Sequence, residues 1–148
     1  MRQKGQGRRT TPSEMNKQDI DIYVLLKTGI YLYDALKHEL TPVLAGDFCQ
    51  DAGKQDYVAI APLNLVFVSD LAKFDMARQP EDKMWMAGID AGHCSQNVYL
   101  YCAAANLACV TRLSIDKTKI SELLGLRDEQ LAVLAETVGY PKIVTKQH

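Results

Sequence analysis

The 148-residue chain has no C-x-x-C pair, no signal-peptide pattern and no apolar run long enough to cross a membrane. It has no internal repeat and no low-complexity segment. Its four cysteines, Cys49, Cys94, Cys102 and Cys109, and its three histidines match no zinc spacing, so no metal site is expected. His93 and Cys94 are neighbours on a helical segment, where adjacent side chains point about 100° apart, so they do not form a nucleophile–base pair. No triad or carboxylate dyad is visible, and no catalytic side chain is assigned. The net charge of −1 removes any global electrostatic case for nucleic acid or an anionic membrane.

The length and a hydrophobic content of 47% suit a single domain with a real core. Residues 1–11 are rich in Gly, Arg and Gln and read as a basic flexible arm. Residues 12–142 form the domain, and 143–148 a polar tail. The arm could meet phosphate or be merely solvated. Thr11-Pro12-Ser13 is turn chemistry, with Ser13 a candidate helix cap for a short turn. Three β-rich runs follow: Ile20 to Leu26, Gly29 to Asp34, and Leu40 to Leu44. They form a plausible meander, with Tyr31 and Tyr33 on one face and Leu32 on the other. Pro42 marks the third run as an edge. Gly46 to Lys54 can hold a short helix that Val58 to Ala61 finishes. Leu63 to Val68 is the best candidate for a central buried strand.

Pro80-Glu81-Asp82 is a helix start, since Pro is tolerated in the first turn and acids suit the positive end of the dipole. The helix then runs to about Asn106, with Gly88 or Gly92 as possible bends. From Asn97 onward it is apolar on nearly every face, which predicts burial in a core or against a second chain. Val110 to Leu113 is a short extended segment. Asp116 caps a helix that ends at Gly125, and Gln130 to Val138 is a last strand. Strands and helices mix without βαβ alternation, so the class is α+β. Free apolar-context thiols suit a reducing compartment, hence a cytoplasmic location.

Four segments carry a family likeness. They are R-R-T-T-P-S-E-M-N-K-Q-D-I-D-I-Y-V from Arg8, A-P-L-N-L-V-F-V-S-D from Ala61, D-A-G-H-C-S-Q-N-V-Y-L from Asp90, and L-L-G-L-R followed by V-G-Y-P from Leu123. In this order and spacing the chain resembles the nitroreductase family of flavin enzymes. It is most similar to the branch that contains thiazoline and oxazoline peptide dehydrogenases. The resemblance implies a mostly antiparallel sheet flanked by helices, and a homodimer with FMN at the subunit interface and the long helix in the seam.

It also implies site residues. The family's P-S-x-x-N segment lies on the flavin and corresponds here to Pro12, Ser13, Glu14 and Asn16. The strip after the long helix, here Thr111, Arg112 and Leu113, lies along the ring. Without the family pattern, Ser13 would simply cap a turn and Arg112 would pair with Asp116 at the surface. Gln96 and Asn97 match the family's Q-N pair and are expected to serve helix packing or the loops above it, with flavin contact the lesser alternative. The implied activity is transfer of electrons from NAD(P)H through FMN to a small organic acceptor by a ping-pong route. The family's R-x-S-x-R motif, which holds the FMN phosphate, has no counterpart in this sequence, nor does the Lys/Arg pair that some relatives carry near the C-terminus. That departure points to a shortened chain, or to a non-catalytic, flavin-free dimeric remnant of the fold.

Overall fold

The computed structural model describes residues 7–75 and 78–142. Arg2 and Lys4 of the basic arm, and the tail at 143–148, lie outside the described residues. Six antiparallel strands form one sheet in the order β3-β2-β1-β4-β6-β5. They are β1 (Ile20–Leu26), β2 (Gly29–Asp34), β3 (Glu39–Ala45), β4 (Leu63–Asp70), β5 (Ala108–Arg112) and β6 (Gln130–Gly139). The helices are α1 (Asp56–Ile60), α2 (Pro80–Ala105) and α3 (Lys117–Leu124).

The sheet sorts its side chains by the two-residue period of extended chain. One face carries Tyr23, Leu25, Ile30, Val66, Val68 and Ala135, and packs against Val58 of α1 and Ile120 and Leu124 of α3. The other face carries Ile20, Val24, Leu65, Phe67 and Leu134, and packs against Ala91, Cys94 and Val98 of α2. β4 contributes to both cores because its successive side chains point to opposite faces, Val66 and Val68 to one and Leu65 and Phe67 to the other. Its residues Asn64 to Ser69 are buried in succession. The meander forms as expected, with Leu32 on the first face and Tyr31 and Tyr33 on the second. Pro42 sits on the edge strand β3.

Several local expectations are corrected. The polar stretch after Gly46 and the Val58 segment are two elements, a 3-10 turn over Cys49–Ala52 and the separate α1. They are parted by Gly53, whose backbone is fully extended. Ser13 does not cap the 3-10 turn Glu14–Asn16 with its side chain. Its Oγ accepts the N–H of Gln18 at 2.9 Å instead, because the chain reverses there rather than continuing as a helix. The long helix is unbroken from Pro80 to Ala105 and ends at Asn106, which adopts the left-handed conformation. It is not buried all round. Ala87, Asp90, Ala91, Ser95 and Cys102 are covered, but Trp85, Ile89, Leu100 and Tyr101 remain 74%, 55%, 60% and 68% exposed. One sheet face can cover only one stripe of a helix.

Asp116 accepts the N–H of Lys119 at 3.1 Å, and Gly125 closes α3 with positive φ. Asp116→Ala removes this cap, and the expected loss is about 1 kcal/mol of stability, read as a lower urea midpoint with unchanged slope.

Candidate functional site

The segment Pro12–Gln18 is a strained reversal. Met15, Asn16 and Gln18 have φ of 45°, 57° and 50°, a left-handed region that side chains other than glycine adopt at a cost. Such backbone persists where neighbours over-determine it, and here they do. Within the turn, Asn16 N–H donates to Ser13 O at 3.0 Å and Lys17 N–H to Glu14 O at 2.9 Å. Gln18 Nε2 donates to Asn16 Oδ1 at 3.2 Å and to Gly7 O at 2.6 Å. From outside, Lys73 Nζ donates to Gln18 O at 2.9 Å, and Arg78 pairs with Glu14 at 2.8 Å. The Glu14 N–H donates to Asp90 Oδ2 of α2 at 3.0 Å. The turn is therefore anchored on α2 while Met15 at its tip is 79% exposed.

The second strip follows α2 along β5. Thr111 is tied to the helix twice. Its N–H donates to the Tyr99 hydroxyl at 3.0 Å, and its Oγ1 lies 2.5 Å from Ser95 Oγ. Leu113 is 70% exposed. Beyond it, Ser114 is fixed by Lys54 N–H on its carbonyl at 3.2 Å and by the Gln55 amide on its hydroxyl. Arg112 neither faces solvent nor pairs with Asp116. Alternation along β5 turns it under the sheet, where it is 7% exposed and donates to Asn64 Oδ1 at 3.2 Å. Asn64 also accepts Thr137 Oγ1 at 2.6 Å and donates to Val58 O at 3.0 Å. Burial lowers the guanidinium's hold on its proton, opposed by Tyr57 and by Glu136. Glu136, fully buried on the α2 face, has its carboxyl raised by burial and lowered by Ser95, Cys109 and Arg112.

The two strips lie on opposite flanks of α2. At 3.6 residues per turn, Asp90 and Asn97 project from one flank, with Ser95 and Tyr99 roughly 140° or more around the axis. Glu14 bonds to Asp90, and Thr10 accepts from Asn97 Nδ2 at 3.0 Å. Thr111 bonds to Ser95 and Tyr99. A groove of about 620 Å³ opens beside the first flank, between the arm at Arg8–Thr11 and the apolar floor of Ile20, Ile22 and Val98. Asn97 thus orders the arm rather than the core, and Gln96 is exposed.

No group of three or more His, Cys, Asp or Glu among the described residues could hold a metal, and no helix there is long and apolar enough to cross a membrane. His93 Nδ1 lies 3.8 Å from Asp90, and burial raises the Cys94 thiol, so the pair is not an activated nucleophile. Sequence reasoning missed Asp19 and Asp90, both buried. Their only signal was a carboxylate set inside an apolar stretch.

A Cβ at Gly53 would lie 2.5 Å from Arg112 Nε. The expected result for Gly53→Ala is a loss of about 1–3 kcal/mol from overpacking. A double-mutant cycle with Arg112→Ala should recover most of that loss; additive effects would show that Arg112 is not what the glycine accommodates.

Residues 5–140 match the family model described as Nitroreductase family. Among solved structures, the chain is similar to a nitroreductase of Ralstonia eutropha, with a TM-score of 0.83 and 34% identity over 90% of this chain and 63% of that one. It is similar in fold to a chain of the Escherichia coli microcin synthetase McbBCD complex with truncated pro-MccB17 bound, with a TM-score of 0.79 and 17% identity over 93% and 57%. The same holds for the NADPH:FMN oxidoreductase of Vibrio harveyi complexed with NAD+, with a TM-score of 0.66 and 22% identity over 90% and 55%. The chain thus spans 63%, 57% and 55% of the lengths of these three proteins.

Proposed function

The chain belongs to the nitroreductase family, and from that premise we propose that it is an FMN-dependent oxidoreductase working as a homodimer, taking electrons from NAD(P)H by a ping-pong route and passing them to a small organic acceptor. The observation that carries this reading is the placement of the two strips. They sit on opposite flanks of α2, so within one chain they face different sides of the helix. The outer face of α2 meanwhile exposes Trp85, Ile89 and Leu100. Large exposed apolar patches of this kind mark interaction surfaces. A twofold pairing through α2 is isologous, and it would set Pro12–Asn16 of one protomer near Thr111–Leu113 of its partner. The site would then be complete only between two copies.

The residues present fit a flavin in part. The strained turn holds Pro12, Ser13 and Asn16 at a fixed edge, where backbone groups and the Asn16 amide would hold ring and ribityl oxygens. The backbone of Thr111 and Leu113 would line the ring, with Arg112 buttressing the strand from beneath. When bound, FMN supplies the two-electron chemistry, and the protein's work is to hold, orient and shield it. Arg112, turned toward Asn64, does not supply a cation to the ring or the phosphate, and this observation favours the second reading, a flavin-free dimer. Four free thiols suit a reducing compartment such as the cytoplasm. The likeness in fold to a microcin synthetase chain leaves the acceptor's class open.

The deciding experiment is a visible absorbance spectrum after incubation with excess FMN and desalting. A retained flavin band with oxidation of NADH or NADPH supports the enzyme; a colourless, folded dimer establishes the second reading. Asn16→Ala is expected to weaken FMN binding up to about tenfold, the worth of one hydrogen bond, with the fold kept. Leu100→Asp, on the outer face, is expected to shift the sedimentation profile from dimer to monomer. An unchanged profile would remove α2 from the seam.

A further inference from the structure

We propose that Asp19 and Asp90 share one proton, and that this shared proton is the latch positioning the Pro12–Asn16 segment. Asp19 stands just before β1 and is fully buried. Its Oδ2 accepts Ser69 Oγ at 2.5 Å, while its Oδ1 meets no hydrogen-bond donor among the described residues. The carboxyl group that shares its small pocket is that of Asp90, 3% exposed on α2. An ionised carboxylate only accepts, and two carboxylates set together out of water repel, so the pair keeps one proton between them. Asp90 Oδ2 in turn holds the Glu14 N–H. The chain of contacts runs Ser69–Asp19–Asp90–Glu14, from the middle of the sheet through the helix to the turn.

Among the described residues, no side chain donates to Asp19 Oδ1 in place of that proton. Arg9 and Cys94 line the same small pocket as the pair, but neither donates to Asp19 Oδ1, and burial raises the Cys94 thiol. Arg78 is engaged by Glu14, and Lys73 by the Gln18 carbonyl. His93 lies on the solvent side, 3.8 Å from Asp90 Oδ1. Removing the shared proton leaves two negative charges in contact, out of water, which drives the carboxylates apart. Asp90 cannot then face Asp19 and Glu14 together, and the strained turn loses its tie to α2.

The pH window follows. Burial first, and Asp90 beside it, push Asp19 up to about 7 from an ordinary 3.8. Between those values the folded state holds a proton that the unfolded chain has lost. The pair's contribution to stability therefore falls as pH rises across this window and is level above it. The local latch opens as pH passes through the upper end.

The inference rests on reading Pro12–Asn16 as the flavin-facing segment only for its functional meaning, so the primary readout needs no flavin. It is the hydrogen-exchange protection of the Glu14 amide from pH 5.5 to 8.5, corrected for intrinsic exchange. In the native sequence, protection is expected to drop about tenfold across neutrality. In Asp90→Asn, the amide Nδ2 donates permanently to Asp19 while Oδ1 still accepts Glu14 N–H, so protection should stay flat; Asp19→Asn should behave alike. Flat protection in the native protein, a native-like drop in Asp90→Asn, or loss of the transition in His93→Gln overturns the latch. FMN affinity is measured alongside. If protection behaves as described but FMN binds at no pH, the latch stands and the flavin reading falls. If FMN binds but with the same affinity at pH 5.5 and 8.5, the latch does not govern the site.

Discussion

Everything distinctive in this molecule depends on how α2 lies across one face of the antiparallel sheet. The sheet must bury both faces, because β4 is apolar on both and sits between β1 and β6. On one face the short helices α1 and α3 do the covering. On the other, α2 is the helix in contact. A single helix is too narrow to close that face, so a groove stays open beside it, and its outer surface stays apolar and exposed. Its two flanks are left to organise what comes before and after it in sequence.

Those flanks explain why polar residues interrupt an otherwise apolar helix. Asp90 and Asn97 bind the segment before β1, while Ser95 and Tyr99 bind the strand that follows the helix. Each polar side chain meets a group that would otherwise go unpaired, which is the usual condition for polar atoms in covered positions. The helix is thus a spacer that holds two backbone strips at a fixed separation.

Beneath the sheet, the buried polar groups show a second design. Arg112, Asn64 and Thr137 form one hydrogen-bonded cluster against Gly53. It locks β5 to β4 and β6 from below and makes Arg112 a structural residue. Read in isolation the position suggests a surface cation paired with Asp116, and the family likeness sets it along a ligand; strand alternation sends it inward instead.

The sequence by itself determined the elements and much of their pairing. Pro80 with its two acids, Asp116, and Gly125 mark helix ends through local backbone chemistry. The alternation of Tyr31, Leu32 and Tyr33 assigns faces, and Pro42 marks an edge because it lacks an N–H. These are properties of neighbouring residues, so they survive without a fold. The family likeness added where a cofactor would lie, through segments that are ordinary one at a time. Only the tertiary structure decided the rest. It showed that Ser13 bonds Gln18 instead of capping, that Arg112 points inward, that α2 is covered on one stripe, and that Asp19 and Asp90 line one small pocket beneath the turn. Each depends on groups far apart in sequence meeting in low-polarity surroundings, where the partner rather than the residue type sets orientation and charge.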